Sequence, residues 1–92
     1  INTSLGYTTF DVPSQSHTYS NLDGQTTVIT QAANMAASKG MLVVVSAGND
    51  GTSPWYYISA PADSPKVLTV GAVDGNRNKA AFSSFGQQPM NV

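Results

Sequence analysis

Cysteine is absent from the sequence, and its absence removes disulfides, thiolate nucleophiles and cysteine zinc sites together, without fixing a compartment. Charge is scarce: Asp, Glu, Lys and Arg make up 10% of the residues, against ~25% in an ordinary globular protein. Polarity comes instead from Ser, Thr, Asn, Gln and Gly, a surface that suits a secreted protein. The four cations, Lys39, Lys66, Arg77 and Lys79, are scattered in a chain of net charge −1. No basic patch exists to displace counterions from a phosphate backbone, so nucleic acid is excluded as an expected partner. No apolar run approaches the ~18 residues needed to span a bilayer, and no basic segment leads into an apolar one at the N-terminus, so no membrane partner is expected. With 92 residues the chain makes one small domain at most, burying roughly 60 to 65% of its unfolded surface.

What is present reads as alternating strand and helix. From Asp23, a candidate N-cap, residues Val28, Ile29, Ala32, Ala33, Ala36 and Ala37 recur at three- and four-residue spacing and predict one helix with a small-residue stripe. Gly40 after Lys39 is the expected stop, placing the helix end near Ser38 or Lys39. Met41 to Val45 is continuously apolar and β-branched without alternation, which predicts a strand buried on both faces of a parallel sheet. Val67 to Val73, "VLTVGAV", is a second such run, Ile1 to Ser4 reads as a first strand, and Ala81 to Ser84 as a short last one. The order predicts a βαβ core in an α/β fold with a parallel sheet. Two long aperiodic stretches, Gly6 to Leu22 and Asp50 to Lys66, leave the same strand ends, beyond which open α/β sheets bind ligands. The start within strand-like sequence and the stop at "QQPMNV" lead to the expectation that 1–92 is the central part of a longer domain.

Four ordered motifs, "TSLG" at Thr3 to Gly6, "AASKGMLVVVSAGNDG" at Ala36 to Gly51, "SAPADSPKVLTVGAVD" at Ser59 to Asp74 and "AAFSSFG" at Ala80 to Gly86, resemble the central stretch of the subtilisin-like serine peptidases, the subtilases. The likeness covers nearly the whole chain. It implies an incomplete subtilisin-like fold, an extracellular serine endopeptidase as the parent, and a polypeptide substrate. By motif, Asn49 matches the asparagine that completes the family's oxyanion hole. Ser4, Leu5 and Gly6 match the segment whose backbone pairs with extended substrate. Ser46, Ala47 and Gly48 match one wall of the primary specificity pocket, and Ser59 falls at its base, where a small residue leaves room for a large apolar side chain. Ala60-Pro61 matches a position where the family has a cis proline. The resemblance implies no cofactor for the chemistry. It allows a structural calcium held by backbone carbonyls of the segment matching Ala62 to Val67, which leave no sequence signal.

The family's catalytic Asp and His stand in D-[ST]-G and H-G-T-H-V-like contexts, and neither context occurs here. His17, in "SHTYS", is the only histidine and reads as a loop residue; Asp23-Gly24 reads as a helix cap. "GTSP" at Gly51 to Pro54 mimics the family's nucleophile motif, yet Pro54 forbids the helix that must follow that serine. The catalytic Asp, His and Ser are therefore expected in flanking parts of the parent, leaving this chain inactive alone. Asp50 and Asp63 read as solvated loop charges and not as metal ligands. Two other readings compete with this one. A phosphate-binding loop at Val45 to Gly51 lacks G-x-G-x-x-G and a following helix. A non-catalytic subtilase-like module that binds extended peptide along a strand edge is the stronger alternative. A truncated sheet also leaves edges through which the chain is expected to self-associate.

Overall fold

The computed structural model describes residues 1–86. Strand β1 (Asn2–Thr3), helix α1 (Val28–Ser38), β2 (Val44–Ser46) and β3 (Leu68–Val70) follow in chain order, with 3-10 turns at Pro13–Gln15 and Tyr19–Asn21. The sheet order is β1-β2-β3 and both pairings are parallel, Asn2 opposite Val44 and Val44 opposite Leu68. Parallel neighbours require a long crossover. The first is made through α1, and the second through the loop between β2 and β3, which contains no helix. Among the described residues no helix is long and apolar enough to cross a membrane.

The predicted α/β arrangement is present, with three local corrections. First, α1 starts at Val28 and not near Asp23, because Thr27 is the N-cap: its Oγ1 accepts from Thr30 N at 3.2 Å. Asp23 closes the preceding turn instead, accepting from Thr26 Oγ1 at 2.6 Å, Thr26 N at 2.8 Å and Gln25 N at 3.0 Å. Chiefly the Thr26 hydroxyl, with help from Gln25 N–H, holds this carboxyl below its ordinary range. Second, β2 is not buried on both faces. Val43 and Val45 point into a core shared with Ala33, Ala47, Ile58 and Ala62, whereas Leu42 is 70% exposed. Helix and loop cover one face only. Third, Ala81 to Ser84 is not a strand but a turn, with Ser83 N donating to Ala80 O at 3.0 Å.

A polar cluster sits beside the apolar core. Asp63, read from the sequence as solvated, is only 6% exposed. Its Oδ1 accepts from Thr30 Oγ1 at 2.6 Å and its Oδ2 from Gly24 N at 3.0 Å. Thr27 Oγ1 donates to Thr30 Oγ1 at 2.7 Å, so the helix cap and the carboxylate form one chain of hydrogen bonds. This fixes the rotation of α1. Thr30 faces inward at full burial and Val28, counted in the apolar stripe, faces outward at 80% exposure. Asn34 Nδ2 donates to Gly24 O at 2.9 Å, and Ser64 Oγ donates to Asn34 Oδ1, tying the same loop to the helix one turn further along.

Thr30→Val keeps the shape but leaves a buried carboxylate short of one donor. It should destabilise the protein by about 1 to 3 kcal/mol in urea denaturation. Val28→Thr, on the exposed face, should stay within about 0.5 kcal/mol of the parent.

Candidate functional site

At the C-terminal end of β2 the ladder continues one residue past the strand, with Ala47 N donating to Val70 O at 2.8 Å. The chain then turns at Gly48, whose φ of 105° lies in the region glycine alone adopts without strain. Asn49 follows, exposed at the mouth of the strand, and among the described residues its side-chain amide enters no hydrogen bond. Next comes Asp50, whose Oδ1 accepts from Ser53 Oγ at 2.9 Å while its carbonyl accepts from Ser53 N at 3.0 Å. Ser53, the serine of the "GTSP" mimic, is thus bound to a carboxylate in a turn. His17 packs edge-on against Phe10 with ring centroids 5.5 Å apart. These groups form no nucleophile–base pair.

The segments singled out from the sequence converge on Ser59, which is buried. Tyr7 N donates to Ala60 O at 2.9 Å, bringing the stretch after β1 against the stretch after Ile58. A methyl group on Gly6 would come within 2.8 Å of Ser59 Cβ, and one on Gly48 within 3.6 Å of Ser59 Oγ. Gly6 and Gly48 therefore both adjoin Ser59. Ser4, Leu5 and Ser46 are exposed. The Ala47 side chain instead points into the core, so its backbone alone can wall a cleft. The Ala60-Pro61 bond is cis.

A strap over residues 80–85, of which Ala81 to Ser84 were expected to be a strand, holds the Asn49 turn. Ser84 Oγ accepts from Asp50 N at 2.9 Å, Ser84 N donates to Gly48 O at 3.0 Å, and Gly51 N donates to Phe82 O at 2.9 Å. The strap itself is fixed by Lys79, whose Nζ donates to Ala80 O and Ser83 O at 2.9 Å each and lies 3.9 Å above the Phe85 ring. Beyond it, Phe85 stacks on Tyr56 at 4.2 Å, Tyr56 meets Tyr57 at 5.0 Å, and Tyr57 meets Tyr19 at 5.2 Å. Tyr19 OH donates to Trp55 O at 2.6 Å. This row ties the first long loop to the second. The aromatic residues were visible in the sequence, but no periodicity announced their contacts.

Among the described residues the Asn49 amide is an exposed neutral donor that makes no hydrogen bond. Among the described residues no three of His, Cys, Asp and Glu cluster as metal ligands. In the segment where the resemblance allows calcium, Ala62 O accepts from Thr69 Oγ1 at 2.7 Å, and each oxygen of the Asp63 carboxylate accepts one hydrogen bond.

The model of the subtilase family matches residues 1–92. Subtilisin DY of Bacillus licheniformis is 44% identical over 63 residues, covering 67% of this chain and 23% of its own length. Subtilisin BL of Lederbergia lenta is 47% identical over 58 residues, covering 63% and 20%. Subtilisin-like protease 12 of Trichophyton verrucosum is 38% identical over 64 residues, covering 70% and 16%. The matched part of the chain thus spans 16% to 23% of the length of these relatives.

Gly51 lies where the strap crosses the turn: a methyl group there would stand 2.7 Å from Ala81 O and collide with Ser83 O. Gly51→Ala should cost about 1 to 3 kcal/mol by overpacking. Gly75→Ala, where a methyl group meets nothing within 4 Å, should remain within about 0.5 kcal/mol. Thermal denaturation of the two variants separates a packed crossing from a general intolerance of side chains.

Proposed function

Because the chain belongs to the subtilase family, we propose that it is the central part of a secreted serine endopeptidase domain, contributing a substrate-binding strand, a specificity-pocket wall and the oxyanion donor. The observation that carries this reading is Asn49, exposed at the end of β2 with an amide that makes no hydrogen bond among the described residues, on the turn that brings Gly48 beside Ser59 and Gly6. Acyl transfer to a serine turns a neutral carbonyl oxygen into an oxyanion. An amide N–H aimed at that oxygen stabilises the charge as it develops, and a neutral donor on a fixed turn needs little reorganisation and cannot titrate away. Ser4 to Gly6, exposed beyond an edge strand, offer backbone groups to an extended polypeptide. The small side chain of Ser59 leaves the pocket base open to a large apolar residue. The nucleophile, its base and the orienting carboxylate belong to flanking parts of the parent in this reading. No cofactor enters the chemistry, and any calcium would be structural.

The same reading makes the isolated chain inert and sticky. Leu68, Val70 and Leu42 are more than half or nearly half exposed in this chain, and β1 and β3 are edge strands. Prepared by itself, the chain should release no product from a chromogenic peptide ester and should self-associate, as followed by light scattering. A compact monomer at high concentration, or a burst of product, would contradict it.

In the intact parent, Asn49→Ala should lower kcat by about 10²- to 10³-fold with KM little changed, the cost established for such a donor in subtilisin itself and carried over to this relative. The loss falls on kcat because the ground-state carbonyl asks little of the amide. Asn49→Asp should be at least as harmful, since it sets like charge against the oxyanion. Steady-state kinetics on one peptide substrate decide the matter: if Asn49→Ala chiefly raises KM, Asn49 is a turn residue and the non-catalytic peptide-binding reading takes precedence.

A further inference from the structure

The two peptide planes that flank Asn49 are each held by the same residue. The plane between Gly48 and Asn49 contains Gly48 O, which accepts from Ser84 N at 3.0 Å; the plane between Asn49 and Asp50 contains Asp50 N, which donates to Ser84 Oγ at 2.9 Å. Peptide units are rigid, so fixing both planes fixes φ and ψ of Asn49 and with them the direction of its Cα–Cβ bond. Ser84 is 4% exposed, so neither bond competes with bulk water. Its own position is secured by Ile58 N donating to Phe85 O at 3.0 Å, Phe85 N to Tyr56 O at 3.1 Å, Ala72 N to Ser83 Oγ at 3.0 Å, and the Lys79 ammonium on Ser83 O.

We propose that Ser84 is a positioning residue for the oxyanion donor: its hydroxyl holds the Asn49–Asp50 peptide so that the Asn49 amide is aimed before substrate arrives. The proposal rests on Asn49 being that donor. Removing the hydroxyl frees one of the two planes and lets the amide swing, while Gly6 and Ser59 keep their mutual contact. Ground-state binding is then spared and transition-state stabilisation is lost.

The experiment uses the full-length protein, with active sites counted by a serine-directed phosphonate, and compares Ser84→Ala, Ser84→Thr, Asn49→Ala and the double variant on one peptide substrate. Ser84→Ala should lower kcat roughly 5- to 10-fold, the scale of one lost hydrogen bond, with KM within about twofold. Ser84→Thr, which retains the hydroxyl, should recover most of the loss. In the Asn49→Ala background Ser84→Ala should have no further effect on kcat, because the group it aims is gone. Multiplying effects in the double variant, a KM-only effect, or no effect of Ser84→Ala would each overturn the proposal while leaving Asn49 in its role. An Asn49→Ala protein with unchanged kcat would instead remove the oxyanion reading and the positioning role with it. Ser84→Cys, close in size but a weaker acceptor, carries the same comparison if the alanine variant does not fold.

Discussion

The Asp63 carboxylate is the point on which the rest of the arrangement depends. A carboxylate taken out of water must have its lone pairs filled, and here the partners come from two sequence-distant places, Thr30 on α1 and the Gly24 amide before it. That requirement orients the helix, sets the loop that carries Ser59, Ala60 and Pro61, and brings the loop back to β3, where Thr69 Oγ1 reaches Ala62 O. Removing a partner from such a cluster leaves a buried group unsatisfied, so the cluster holds one geometry and resists intermediate ones. The segment that carries Ser59 is thereby tied to the helix and to β3 by its own polar groups.

A second constraint acts at the other end of the cleft. The Gly48–Gly51 turn has almost no apolar anchorage after Ala47, so its conformation is imposed by backbone and hydroxyl bonds from the 80–85 strap. Such a turn can expose a polar side chain and still keep it directed. In a peptidase this combination has a clear use: a donor that is wet enough to meet substrate, on a frame that does not move when charge develops. The polar composition of the chain fits the same economy. Serine, threonine and asparagine side chains replace charged ones as the local fasteners, for example Ser84 on Asp50 N, Ser83 on Ala72 N and Asn34 on Gly24 O.

The uncovered face of the sheet follows from the thin core. Ala33, Val43, Val45, Ala47, Ile58 and Ala62 fill one side, where α1 and the 58–62 loop lie. The opposite side carries Leu42, Leu68 and Val70 toward solvent. A continuous apolar run such as Met41 to Val45 encodes a strand meant for two covered faces, and the cover for the second face is not supplied by residues 1–86.

The sequence by itself determined the one helix and the three strands of the sheet, their order and the family. Periodicity marked α1, the unbroken β-branched run marked β2, and Gly40 beyond Lys39 marked the helix end, all signals that depend on near neighbours in the chain. Four linked motifs also singled out Asn49, Gly6, Gly48 and Ser59 as candidates. Only the tertiary structure decided which side chains are buried and what orients the site. Asp63 looked like a solvated loop charge because its donors lie 33 and 39 residues away, and no local pattern reports a partner at that distance. Asp23 looked like the helix cap because a capping residue and a turn residue share one chemistry; Thr27 took the cap once Thr30 had to face Asp63. Ala81 to Ser84 looked like a strand because its residues are strand-compatible, whereas the bonds that bend it across the Asn49 turn join parts of the chain more than thirty residues apart. Local propensity can name an element, but a hydrogen bond between distant segments exists only after the chain has folded.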